Sequence, residues 1–141
     1  MQGSLEEDLG ALRRLREDDA SGALKKFFGD GEDPRDWSYQ TRRGKKSCVT
    51  MADDRVTALY LINCSSLAEL PDAIGKLGAL TELNLFGCSS LVALPESIGE
   101  LKTLKTLYLN GCSKLTFPPI DMQLPSPDIE RIKRLLANTT R

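Results

Sequence analysis

The sequence predicts a short α/β repeat solenoid, with parallel strands along a concave face and a helical cap at each end. Three observations carry this expectation. A 24-residue step links many apolar positions, the apolar period changes inside each unit, and both flanks carry helical patterning. Leu59, Leu83 and Leu107 keep the step, as do Leu61, Leu85 and Leu109, Cys64, Cys88 and Cys112, Leu67, Leu91 and Leu115, and Pro71, Pro95 and Pro119.

Residues 1–54 are expected to form a helical N-terminal cap. Ser4 and Glu7 make a capping box, and Leu5, Leu9, Leu12 and Leu15 recur on one helical face. A second helix is expected over Ala23–Phe28, stopped near Gly29. Gly29–Arg35 is turn-rich and acidic. Trp37 and Tyr39 then follow, placed to cover the first repeat.

Residues 55–119 hold about three units. In the second, Leu83 and Leu85 alternate with Glu82, Asn84 and Phe86, the period of a half-buried strand. After Cys88 the apolar spacing widens to three, which suits a turning, partly 3₁₀ return, and Leu94-Pro95 marks a turn. A unit this short cannot bury its own apolar face, whereas stacked copies can. Residues 120–141 are expected to close the fold. Ser126 and Pro127 suit N-cap and N1, and Asp128–Ala137 carries the apolar face Ile129, Ile132, Leu135 and Leu136, with Arg131, Lys133 and Arg134 away from it.

The unit Leu80-x-x-Leu83-x-Leu85-x-x-Cys88 resembles the leucine-rich repeat family. The phrases Leu83-Asn-Leu-Phe-Gly-Cys-Ser-Ser-Leu and Leu107-Tyr-Leu-Asn-Gly-Cys-Ser-Lys-Leu are similar to repeats of plant intracellular disease-resistance receptors. The resemblance covers about residues 55–119 and implies a curved solenoid that binds proteins on its concave strand face. The chain carries no Gly-x-x-x-x-Gly-Lys-Ser/Thr phosphate loop, so the nucleotide switch of those receptors is not expected. Cys48 to Leu61 resembles the lead-in to plant-type repeat domains. Cys48 stands where that family has Gly and Met51 where it has a second Cys, so the family's cap disulfide is not expected and a reducing compartment is favoured.

Composition narrows the function. Nineteen Lys and Arg against twenty Asp and Glu leave a net charge of −1, too little basic field for general nucleic-acid binding. No apolar run reaches the roughly 20 residues of a membrane span, and the first residues lack a secretory pattern, so a cytoplasmic protein without membrane contact is expected. The absence of histidine removes the commonest general base and metal ligand, so neither catalysis, a cofactor nor a metal is expected. The carboxylate pairs Glu6-Glu7 and Asp53-Asp54 sit in a helix start and a turn, where capping and solvation account for them. Cys64, Cys88 and Cys112 are expected as a buried column of small thiols rather than a disulfide or a metal site. Arg42-Arg43-Gly44-Lys45-Lys46 reads as a solvated loop, with nuclear targeting or an acidic partner as alternatives.

The outward strand positions form the columns Ala58, Glu82, Thr106, then Tyr60, Asn84, Tyr108, then Ile62, Phe86, Asn110. Large apolar groups exposed there would mark a partner surface. The expected protein-binding residues are therefore Tyr60, Ile62, Glu82, Asn84, Phe86, Thr106, Tyr108 and Asn110. The expected function is non-enzymatic protein recognition, in defence or signalling. The alternatives are an oligomerising scaffold, with weak homo-oligomerisation, and the substrate-recognition arm of a larger receptor or enzyme.

Overall fold

A computed structural model describes residues 4–116 and 129–138. The chain begins with helix α1 (Leu5–Asp18), whose N-cap Ser4 accepts a hydrogen bond from the Glu7 N–H at 3.3 Å. Glu6, Glu7 and Asp8 lie in its first turn, where their charge suits the helix dipole. Helix α2 (Ala23–Phe28) stops at Gly29, whose positive φ lets the chain leave. A 3₁₀ turn at Pro34–Asp36 leads into the hairpin β1 (Ser38–Thr41) and β2 (Gly44–Ser47).

Strands β3 (Val49–Ala52), β4 (Arg55–Tyr60), β5 (Glu82–Asn84) and β6 (Thr106–Tyr108) form a second sheet in that order. Strand β3 runs antiparallel to β4 with a register shift between Thr50 and Met51. Asp53 and Asp54 join them, with φ of 52° and 60°, the left-handed pair that a two-residue hairpin turn uses. β4, β5 and β6 are parallel, and Leu59 pairs with Leu83 and Leu83 with Leu107, so the 24-residue spacing reappears as sheet register. The chain returns between these strands through 3₁₀ turns at Asp72–Lys76 and Glu96–Glu100. Helix α1 packs against the first of these turns, and the closing helix α3 (Ile129–Asn138) against the second.

The predicted repeat solenoid is therefore corrected. The chain is a small mixed α/β domain, with three α-helices and two sheets of two and four strands among the described residues. Among the described residues, the parallel step spans two strand junctions and one isolated bridge, Glu69 with Ala93. Residues 1–54, expected as a helical cap, also supply β1, β2 and β3. The physical reason lies in burial. A fully buried leucine contributes about 2 kcal/mol, and two junctions alone leave the leucines of β4 open on one side. Cys48 and Val49 of the antiparallel edge, together with α1 and α2, close that side. One apolar cluster runs from Leu12, Leu24 and Trp37 through Leu59, Leu83 and Leu107 to Ile132 and Leu136.

Local details follow side-chain chemistry. Trp37 stacks on Phe28 with ring centres 4.2 Å apart, and its indole N–H donates to the Gly31 carbonyl at 2.9 Å. Tyr39 stacks on Phe27. In α3, Ile132 and Leu136 are buried while Ile129 and Leu135 are half-buried. Lys133 turns its ammonium toward the carbonyls of Leu101, Lys102 and Leu104 at 3.2–3.4 Å. The expected cap residues Ser126, Pro127 and Asp128, and the third repeat proline Pro119, lie outside the described residues.

Candidate functional site

The strand face is built by alternation. Leu59, Leu61, Leu83, Leu85, Leu107 and Leu109 point into the core, which leaves the residues between them on the other side of the sheet. Register brings Ala58, Glu82 and Thr106 into one row and Tyr60, Asn84 and Tyr108 into the next. The third row extends past the strands. The Asn63 N–H donates to the Phe86 carbonyl at 2.6 Å and the Gly87 N–H to the Asn110 carbonyl at 2.8 Å, so Ile62, Phe86 and Asn110 stay in phase.

The eight expected residues divide by exposure. Phe86 is 47% exposed and Tyr108 42% exposed. Asn110 is also exposed, whereas Glu82, Asn84 and Thr106 are half-buried. Asn84 is held locally, its Oδ1 accepting from the Phe86 N–H at 3.0 Å, which also fixes the backbone that carries the ring. Tyr60 and Ile62 were expected open and are half-buried instead. Strand β3 runs beside Tyr60, placing the Thr50 hydroxyl 3.5 Å from its phenol oxygen, and Ile62 lines a cleft against the hairpin. A third large apolar group, Val92, is 47% exposed on the return side of the unit, where its N–H donates to the Ala68 carbonyl. Sequence reasoning passed over it because the equivalent positions 24 residues either side are the smaller or polar Ala68 and Thr116.

The cleft is the other feature of this surface. It holds about 860 Å³ between α2, the β1–β2 hairpin and the Ile62–Ser66 loop. Phe27, Tyr39 and Ile62 form its apolar walls, and Lys26, Arg42 and Lys45 its cationic ones. The basic cluster read as a loop is thus partly strand β2 and partly the rim of this cleft. Nothing in the spacing of Lys26, Arg42 and Lys45 announces that they meet.

The cysteines form a ladder of donors. The Cys88 thiol faces the Leu61 carbonyl at 3.1 Å and the Cys112 thiol the Leu85 carbonyl at 3.2 Å, while Cys64 reaches toward the Ala23 carbonyl at 3.9 Å. All four cysteines are free and buried. Burial pushes the Cys88 and Cys48 thiols up to about 12 and the Cys64 thiol to about 11, the reverse of an activated nucleophile.

Among the described residues, no cluster of three or more His, Cys, Asp or Glu is placed to hold a metal ion. No described helix is long and apolar enough to cross a membrane. Asp33, whose carboxyl is held down at about 2, owes this to hydrogen bonds from Arg35 across the cap of a 3₁₀ turn. Glu6 and Glu7 are exposed at the start of α1, and Asp53 and Asp54 are exposed in the hairpin turn. No family model matches the chain, and no curated protein matches it.

Proposed function

We propose that the chain is a non-catalytic protein-recognition module of the cytoplasm, acting in defence or signalling, that binds a partner through the outer face of β4, β5 and β6. The observation that carries this reading is the exposure of Tyr108 on β6 and of Phe86 just past the end of the neighbouring β5, both on that face. Aromatic rings left in water cost the fold free energy without improving its packing, and such rings dominate interface hot spots. Glu82, Asn84, Thr106 and Asn110 supply hydrogen-bonding groups around them. The resemblance of the Leu83 and Leu107 phrases to plant disease-resistance receptors, in the leucine-rich repeat family, supports the same class of function. Three strands about 4.8 Å apart give a narrow face, so a standard interface of about 800 Å² per partner draws on flanking surface as well.

The test replaces Phe86 and Tyr108 together with Ser. Proteins captured by the wild-type chain, and photo-crosslinked from a probe at position 84, should be lost from the double variant. The thermal midpoint should move by less than about 3 °C, because both side chains are exposed. Equal capture and cross-linking by the two proteins would overturn the reading.

A further inference from the structure

The cleft beside the strand face combines features that narrow what enters it. Its size, about 860 Å³, lies within the range of ligand-binding pockets. Lys26, Arg42 and Lys45 converge on it from two elements and a turn, and no carboxylate lines it. Among the described residues, none of these three cations makes an ion pair or a side-chain hydrogen bond. Among the described residues, Lys76, Lys102 and Lys105 also make no ion pair, so what sets Lys26, Arg42 and Lys45 apart is their convergence on one cleft without a carboxylate. Three uncompensated cations therefore hold a positive potential at one mouth of a chain whose net charge is −1.

The same geometry bears on the chemistry of the occupant. Lys26, Arg42 and Lys45 are exposed, so each contributes only a weak ion pair. A small anion would find no desolvated cradle. The walls are Phe27, Tyr39 and Ile62, which reward an apolar group lying between the charges. We propose that the cleft takes an extended acidic segment of a protein partner, its carboxylates on Lys26, Arg42 and Lys45 and an apolar side chain against the wall of Phe27, Tyr39 and Ile62. Ile62 belongs to both the cleft and the strand face, so one partner can run from Phe86 into the cleft. To that extent the inference rests on the protein-recognition reading.

The experiment uses the full chain and a fluorescein-labelled eight-residue peptide, a Leu-Phe pair flanked on each side by three Asp or Glu. Its neutral counterpart carries Asn and Gln, and a 12-nucleotide oligodeoxythymidine serves as the competing polyanion. At low salt the acidic peptide should bind about tenfold or more tightly than the neutral one, with affinity falling as salt rises. The triple variant Lys26→Glu, Arg42→Glu, Lys45→Glu should lose about tenfold while keeping its circular dichroism melt. Equal binding of the two peptides, or binding that the charge reversal leaves intact, overturns the inference. So does tighter binding of the oligonucleotide, which would assign the cleft to nucleic acid. Capture that depends on Phe86 and Tyr108 but is unaffected by the triple variant also overturns it, and leaves the strand-face reading standing.

Discussion

Asp8 and Arg55 lie 47 residues apart and meet in a two-pronged ion pair, Arg55 Nε to Asp8 Oδ2 at 2.7 Å and Nη2 to Oδ1 at 3.0 Å. Oδ2 also accepts from the buried Val56 N–H at 3.0 Å. Asp8 is fully buried, so this is where α1 is tied to the start of β4. Asp8→Ala should cost about 3 kcal/mol in urea unfolding, since it strands the Val56 N–H and removes the carboxylate that Arg55 grips. The joint change Asp8→Leu with Arg55→Met should recover part of that loss, because replacing a pair by apolar groups is milder than breaking it. A loss below about 0.5 kcal/mol for Asp8→Ala would mean the pair is dispensable.

The thiol ladder predicts an alkaline limit. Burial raises Cys48 and Cys88 from the usual 9.0 to about 12, so the folded chain holds protons that the unfolded chain releases. The contribution is fully present below pH 9 and declines as pH rises from about 9 toward 12, by up to about 1.4 kcal/mol per pH unit for each thiol. Urea midpoints measured at pH 8 and pH 10 should fall more steeply for the wild type than for Cys88→Ala. Parallel slopes would show that the Cys88 thiol carries no such linkage.

The two 3₁₀ turns touch at one tight place. A Cβ on Gly75 would sit 2.7 Å from Ser97 Cβ and 2.8 Å from the Ser97 carbonyl, closer than such atoms approach. Gly75→Ala should destabilise the fold by roughly 1–3 kcal/mol. The Ser97 hydroxyl is buried without a hydrogen-bond partner, and the residue 24 positions earlier is Ala73. Ser97→Ala should therefore be neutral or stabilise by up to about 1 kcal/mol. Thermal melts of the two variants should move in opposite directions or differ clearly in size, and a matching loss in both would contradict the assignment.

Local signals were legible in the sequence. The Ser4 cap, the Ala23–Phe28 helix and the Leu59–Leu83–Leu107 register all rest on short spacings or a fixed period, and each appears where those spacings put it. The architecture around them was not. Strands β1 and β2 read as Ser-Tyr-Gln-Thr and Gly-Lys-Lys-Ser, with no apolar alternation to announce them. Their pairing comes from a tight turn and from Trp37 and Cys48 joining the core at either end. The periodic leucines predict a stack over residues 55–119, and within it they set the register of β4, β5 and β6 and of the Glu69–Ala93 bridge, while the segments before Val56 follow no such period.

The surface was less legible than the core for a related reason. Periodicity placed Phe86 and Tyr108 on the outer side of the sheet, and both are exposed there. It could not place Tyr60 and Ile62, because their surroundings are supplied by β3 and the hairpin, segments whose own structure the pattern did not reveal. The meeting of Lys26 with Arg42 and Lys45 has the same origin, as does the Asp8–Arg55 pair: distant segments brought together by the fold.

The Asp53–Asp54 turn reaches further than its two residues. Through it β4 takes an antiparallel partner, β3, on one edge while it keeps a parallel partner, β5, on the other. Side chains alternate with a period of two, so a slip of one in β4 would send the fully buried Leu59 to water and Tyr60 inward, and a residue inserted in the turn is therefore taken up by the loop. Both aspartates hold a backbone shape that glycine or asparagine adopts at less cost. The join between the antiparallel edge and the parallel strands is thus made of two residues held off their preferred backbone shape.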